Sequence, residues 1–346
     1  MNSHRWYTPY LLLAIPVTWV LVFSLWPFFN TVALAFTNAR PLRPVTFVGL
    51  ANFRALFEDP HFIYAITTCL VYVVVCVPLL TLLPLLLALL VEKKIPGIAA
   101  FRTAYYFPVV ASVVVVGIIW AWMFDSRGVI NQSLEALGLV DEPVNFLVER
   151  WWLILCAILL TVWKGLGYYM VVYLAALGNV TKDLHEAAAI DGANAWRRFW
   201  SITVPGVRGA MVLIAALISV SAMRIFSEIY VLSNGTGGPG GQAQSIVMMV
   251  QQVGSGLGGR LGYASAISVV LFFLTIGPLT LVGIMNYSSE IQTLRKNRRA
   301  RKIARENQRR AASVGRARGS VNEDEVAVGG LTAAVNAAPT QPTGGQ

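Results

Sequence analysis

Two long apolar runs, residues 11–36 and 66–91, contain no charged side chain. Each is longer than the ~20 residues that an α-helix needs to cross the hydrocarbon core of a bilayer. Charged residues make up only 13% of the chain, about half the share found in soluble domains. The sequence therefore predicts an all-α polytopic membrane protein and excludes soluble enzymes, secreted disulfide scaffolds and disordered proteins.

Apolar stretches of about 18 residues or more give six predicted transmembrane helices. They cover residues 10–36, 66–91, 103–124, 152–177, 207–232 and 263–285. The domain organisation follows from them. We expect a cytoplasmic N-terminus over residues 1–9, a six-helix domain over 10–290 and a cytoplasmic tail over 291–346.

The net charge of +10 originates in the tail, since eleven Lys and Arg residues lie between Arg295 and Arg318. The positive-inside rule then places both termini in the cytoplasm. Such a stretch attracts anionic lipid headgroups. Nucleic acid is not an expected partner, because no aromatic residues are interleaved for base stacking. The composition of residues 320–346 predicts disorder.

Neither the cysteines nor the histidines indicate a metal or catalytic site. Cys69, Cys76 and Cys156 all lie within apolar runs, and an odd number of cysteines cannot form a closed disulfide framework. We interpret them as small core residues. No spacing of Cys or His suits a metal, and the three histidines lie outside the predicted helices.

The loop between the predicted fourth and fifth helices differs from the other loops. Residues 186–190 favour a helix, and Gly192 permits a tight turn. Ala195, Phe199 and Ile202 then form an apolar stripe, which Pro205 is expected to end. This pattern predicts two short helices on the cytoplasmic face, either exposed for a partner protein or resting on lipid.

The same loop resembles the cytoplasmic signature of ABC importer permeases. The shared pattern is Glu-Ala-Ala from Glu186, three residues, Gly192, nine residues, Ile202, one residue, and an apolar residue before Pro205. Val204 is the one departure, because the family usually has Leu there. By this resemblance, the following residues couple the chain to an ATPase: Glu186, Ala187, Ala188, Asp191, Gly192, Ile202 and Pro205.

Further motifs are similar to carbohydrate-importer permeases, and more narrowly to the subunit that pairs with a second, different permease. They are the sequences at residues 102–108, 128–131, 163–168, 233–239 and 262–266. The resemblance ends at about Gln292. It implies three further partners: that second permease, a dimer of ATP-binding subunits and an extracellular solute-binding protein. The chain has no GxxxxGK[ST] motif, so we expect ATP and Mg on the partner ATPase and no cofactor on this chain.

Three ionisable residues lie inside the predicted fourth and fifth helices: Lys164, Arg224 and Glu228. A charge at this depth is costly and should face a cavity or a partner. Arg224 and Glu228 are spaced i, i+4, which predicts an ion pair on one helix face. Direct contact with the substrate is the alternative. The sequence does not identify a partner for Lys164.

By resemblance to the maltose permease, the helices that flank the cytoplasmic loop line the substrate path. Gly165 and Tyr168 match that subunit in the fourth helix, and Lys164 lies beside them. In the fifth helix the corresponding face carries Ile218, Ser221, Ala222 and Ile225, at i, i+3, i+4 and i+7. Tyr168 offers a ring face and a hydroxyl to a sugar. Ordinary helix packing is the alternative for all seven residues.

These observations predict the permease subunit of a sugar ABC importer in a bacterial cytoplasmic membrane. Glycerol-phosphate or another small polar solute is the alternative cargo. An ion-coupled secondary transporter is a less favoured alternative, since the sequence does not display the inverted repeats expected of one.

Overall fold

The computed structural model describes residues 8–93, 95–280 and 283–284. Within them all regular structure is helical, apart from one isolated antiparallel bridge between Thr37 and Phe47. The predictions for the basic and disordered parts of the tail, for residues 1–7 and for the end of the sixth span lie outside the described residues.

The helices follow the apolar runs and the loop motifs in chain order. They are α1 (Thr8–Val20, a π-helical turn Leu21–Leu25, then Trp26–Ala35), α2 (Ala51–Phe57), α3 (Pro60–Val91), α4 (Ile98–Val110), α5 (Val113–Phe124), α6 (Val129–Ala136), α7 (Arg150–Leu177), α8 (Lys182–Ile190), α9 (Ala195–Gly206), α10 (Arg208–Met223), α11 (Ser227–Leu232), α12 (Ile246–Gly254) and α13 (Leu261–Thr280). A short 3₁₀ turn covers Pro239–Gly241.

In the described part of the chain, five segments are long and apolar enough to cross a membrane. They are α1, α3, α5 with α6, α7 and α13. A sixth results if α9 and α10, which meet at an angle of 70°, are taken as one span. The predicted all-α fold with several transmembrane helices is confirmed.

Two of the predicted transmembrane spans are interrupted, so the prediction of one continuous helix for each of them is wrong. The span at 103–124 breaks after Val110, because Ala111 and Ser112 have extended backbone and a new helix begins at Val113. The span at 207–232 breaks after Met223, and Phe226 has a non-helical backbone before α11 begins. By contrast, α3 continues through Pro78 and Pro84, as bilayer helices allow.

The core lies where α3 packs against α7 and α10, with α4 against α7 and α5 against α11. Its largest buried side chains include Tyr72 and Tyr173, and both hydroxyls have a partner. Tyr173 Oη donates to the carbonyl of Thr81 at 2.8 Å, and Tyr72 Oη lies 3.4 Å from Thr161 Oγ1. Buried polar groups need such partners. All three cysteines are buried and free, which confirms them as core residues.

Candidate functional site

The turn between α8 and α9 is built around Gly192. Its φ is +77°, a left-handed conformation that residues with a side chain adopt at a cost. The amide of Gly192 donates to the carbonyl of Ala189 at 3.1 Å, and that of Ala193 donates to Ala188 at 2.9 Å. These two bonds form a Schellman motif, which ends α8 and redirects the chain. The backbone conformation is therefore what requires glycine at this position. Lack of space is not the reason, because a Cβ at Gly192 would meet nothing within 4 Å.

Helix α9 begins at a polar cap and ends at a bend. The side chain of Asn194 accepts a hydrogen bond from the amide of Arg197 at 2.8 Å, which satisfies one free donor of the first turn. A π-helical turn follows at Phe199–Thr203. Pro205 lies in the last turn, Val204–Gly206, and the helix ends one residue after it, in agreement with the prediction. The chain bends by 70° after Gly206.

The α8–α9 segment presents large apolar side chains outward. Ile190 is 87% exposed and Trp196 is 70% exposed. The residues predicted for coupling divide by burial: Glu186, Ala187, Asp191, Gly192 and Pro205 are exposed, and Ala188 and Ile202 are half-buried. Exposed apolar surface next to charged side chains is typical of a surface that contacts another molecule.

The segment is held together internally but separated from the nearest helix ends. Arg198 Nη1 donates to the carbonyl of His185 at 3.4 Å and so joins α9 to α8. A cavity of about 830 Å³ lies between this segment and the adjoining ends of α3, α4 and α7, with His185 and Thr203 on one side and Lys93 and Arg102 on the other. Open space therefore borders the segment on this side.

Lys164 finds its partner at the interruption between α4 and α5. Its Nζ donates to the carbonyl of Pro108 at 2.9 Å and to that of Ala111 at 2.7 Å. Those carbonyls lie at the C-terminal end of α4, where a cation is favourable and where helix bonding is lost. The lysine thus compensates for the break in α4, a role that the sequence did not reveal.

A cavity of about 350 Å³ opens beside Lys164, between α3, α4, α7, α10 and α11. All seven residues predicted for the substrate path line it: Lys164, Gly165, Tyr168, Ile218, Ser221, Ala222 and Ile225. The structure brings together residues from helices separated by the whole α8–α9 segment. Their contact with substrate stays a prediction.

Arg224 and Glu228 also line this cavity, but the ion pair predicted between them is wrong. The spacing i, i+4 gives a shared face only on a continuous helix, and α10 ends at Met223, before Glu228 enters α11. Within the described ranges the ion pair present is Arg54 with Glu58. Glu228 and Lys164, of opposite charge, both line the cavity.

Several lining residues were missed by sequence reasoning. They are Cys76, Leu80, Val109, Thr161, Tyr169, Phe226 and Ser227. Thr161 could have been found, because it lies one helical turn before Lys164 and Gly165 on α7. Phe226 and Ser227 line the cavity because the helix breaks after Met223. Cys76 and Leu80 line it because α3 packs against α7 and α10, which no local sequence pattern indicates.

Comparisons with known proteins agree with this architecture. Residues 48–288 match the family described as "Binding-protein-dependent transport system inner membrane component". The chain is 32% identical to an arabinooligosaccharides transport system permease protein AraP of Halalkalibacterium halodurans, over 82% of this chain and 89% of that protein. It is 31% identical to the trehalose/maltose transport system permease protein MalF of Thermococcus litoralis, over 77% of this chain and 89% of the relative.

Solved structures give the same result. The chain resembles one chain of a bacterial ABC transporter involved in the import of the acidic polysaccharide alginate, with a TM-score of 0.69 and 26% identity, over 82% of this chain and 95% of the other. A second match is the bacterial alginate ABC transporter in complex with a periplasmic protein bound to an alginate pentasaccharide. There the TM-score is 0.70 and the identity 25%, over 81% and 93% of the two chains.

Proposed function

This chain belongs to the family of binding-protein-dependent transport system inner membrane components, and from that premise we propose that it forms part of the membrane pathway of an ATP-driven sugar importer. One observation carries the proposal. The exposed α8–α9 segment and the mixed polar and apolar cavity are joined by a single helix, α10. A pathway that is operated from another subunit needs such a connection.

The connection has a simple geometry. Helix α10 runs unbroken for 16 residues, which is about 24 Å at ~1.5 Å per residue. It starts directly after the bend that follows Gly206, and its other end carries Ile218, Ser221 and Ala222 along the cavity. A displacement of the α8–α9 segment therefore tilts α10 and moves these three residues relative to α7.

Each exposed surface of the chain is assigned a partner in this proposal. The α8–α9 segment contacts an ATP-binding subunit, whose dimer binds and hydrolyses ATP with Mg. Helix α1 has apolar side chains exposed along most of its length and contacts lipid or a second, different permease. An extracellular binding protein delivers the sugar. Both termini then lie in the cytoplasm, where the basic tail meets anionic lipid.

The cavity suits a hydroxylated ligand. Tyr168 supplies a ring face for a pyranose and a hydroxyl for its edge. Thr161, Ser221 and Glu228 add hydrogen-bonding groups among apolar neighbours. A few placed polar groups in a largely apolar site are typical of small-molecule binding. The cavity volume of about 350 Å³ is sufficient for a sugar ring.

Copurification tests the proposal. The tagged chain is extracted from its native membrane in mild detergent, and the proteins recovered with it are identified by mass spectrometry. We expect a second permease and an ATPase with a Walker motif, and after reconstitution with the binding protein, ATP hydrolysis that sugar stimulates. A chain that is recovered alone and takes up solute on an ion gradient without ATP would overturn the proposal.

A further inference from the structure

Arg224 occupies an unusual position at the end of α10. It follows the last helical residue, Met223, at the interruption before α11. It lines the cavity that contains Tyr168 and Ser221, and also a second cavity of about 310 Å³ that reaches α1 and α13. The side chain of Arg224 is therefore accessible from the first cavity, together with the polar residues that line it.

The charges around the cavity are not balanced. Two cations, Lys164 and Arg224, and one carboxylate, Glu228, line it. The Lys164 ammonium is occupied by two main-chain carbonyls. Arg224 has no ion-pair partner within the described ranges, and its guanidinium accounts for none of the hydrogen bonds there. Of the two cations that line the cavity, Arg224 is therefore the one whose charged group has no partner within the described residues.

Arg224 is exposed, so its guanidinium is open to an anion that enters the cavity, and an ionisable group at the depth of a membrane span typically faces a cavity or a partner. The planar guanidinium binds carboxylate and phosphate oxygens through two parallel hydrogen bonds, a geometry that neutral hydroxyl groups do not match. We propose that Arg224 binds an anionic group of the transported solute, and that the substrate is an acidic carbohydrate. This inference rests on the proposed function, because it assigns the chemical class of that cargo.

The arrangement also orients such a solute. Glu228 repels a second carboxylate and accepts hydrogen bonds from hydroxyl groups, and Tyr168 covers a ring face. An acidic sugar fits with its anion at Arg224 and its neutral hydroxyls towards Glu228 and Tyr168. A neutral sugar would leave the guanidinium without an anionic partner, so the cavity favours an acidic sugar over a neutral one.

The test uses the complete importer, reconstituted in proteoliposomes with its binding protein. The probes are neutral oligosaccharides, uronate oligosaccharides of matched length, and sugar phosphates, and uptake is measured for each. We expect the best substrate to carry a carboxylate or a phosphate. Comparing uptake of the uronate oligosaccharides with uptake of the sugar phosphates identifies which of the two anionic groups is bound. We expect R224Q to raise the KM for that substrate by about tenfold or more. R224K should raise it less, because lysine keeps the positive charge and loses only the two parallel hydrogen bonds of the guanidinium.

The control is R127Q, since Arg127 is exposed and lines neither cavity. It should leave the KM unchanged. A neutral best substrate whose KM is unaffected by R224Q would overturn the inference and leave the proposed function intact. Loss of the second permease from the R224Q complex in gel filtration would also overturn it, because Arg224 would then serve assembly. Failure of every carbohydrate to be taken up would instead reject the proposed function.

Discussion

The ammonium group of Lys164 lies 2.7 Å from the main-chain carbonyl oxygen of Ala111. This contact joins the middle of α7 to the point where α4 ends. A break in a transmembrane helix leaves carbonyls that lipid cannot satisfy. Here one side chain satisfies two of them, because the neighbouring carbonyl of Pro108 is also within reach.

Lys164→Met should lower the stability of the chain. The substitution keeps an unbranched side chain of nearly the same length but removes the donors, and hydrogen bonds to a charged group contribute about 1.5–3 kcal/mol each. We expect a lower melting temperature of the detergent-solubilised protein, measured by differential scanning fluorimetry. Lys93→Met is the control, since Lys93 is exposed. Equal melting temperatures for the two variants would contradict the structural role of Lys164.

Gly167→Ala should interfere with the packing of α4 on α7. A Cβ at Gly167 would lie 2.1 Å from the carbonyl oxygen of Tyr105, too close for any rotamer to relieve. Overpacking of this kind typically costs 1–3 kcal/mol. We expect a smaller monodisperse fraction in gel filtration after extraction. Gly178→Ala should behave as wild type, because its Cβ would have no neighbour closer than 3.5 Å.

Gly192→Val should uncouple transport without preventing assembly. Left-handed backbone costs a residue with a side chain roughly 1–2 kcal/mol, and a β-branched residue more. The chain would therefore turn differently between α8 and α9, and we expect sugar-stimulated ATP hydrolysis of the reconstituted complex to fall by about tenfold or more.

Two further variants separate backbone strain from bulk in that experiment. Gly192→Asn should retain more activity, because Asn tolerates left-handed backbone. Gly209→Ala should have little effect, since Gly209 has ordinary φ and open space around it. Normal stimulation of ATP hydrolysis by Gly192→Val would argue against a role of this turn in coupling.

Tyr168→Ala should weaken sugar binding. An aromatic ring that packs on a ligand contributes about 1 kcal/mol beyond the area that it buries, so we expect roughly a fivefold rise in the KM for uptake. Tyr168→Phe keeps the ring and should change it less. Leu159→Ala, an exposed position on the same helix outside the cavity, is the control. A KM that does not change in Tyr168→Ala would remove this residue from the substrate path.

The parts of the fold that depend on local sequence could be predicted. The apolar runs predict the long helices, because length and hydropathy alone decide whether a helix can cross a bilayer. The turn at Gly192 could also be predicted, since left-handed backbone favours glycine. The cavity face of α10 was implied by the resemblance to the maltose permease, and its i, i+3, i+4 spacing holds on the helix as far as Ala222.

The two breaks could not be predicted, because their causes are distant in sequence. Ala111 and its partner Lys164 are separated by 53 positions. Pro108 near the first break is not a sufficient signal, since Pro78 and Pro84 lie inside an unbroken α3. The second break, after Met223, has neither proline nor glycine beside it. The predicted pair of Arg224 with Glu228 failed for this reason.

The close approach of Gly167 to Tyr105 and the hydrogen bonds of Lys164 to Pro108 and Ala111 hold α4 against α7. In the proposed mechanism, the cavity residues on α7 therefore keep their positions while those on α10 change theirs. A group that contacts substrate equally in two conformations sets overall affinity and favours neither conformation. We therefore expect α7 to set the overall affinity for the solute, and the far end of α10 to set the difference in affinity between capture and release.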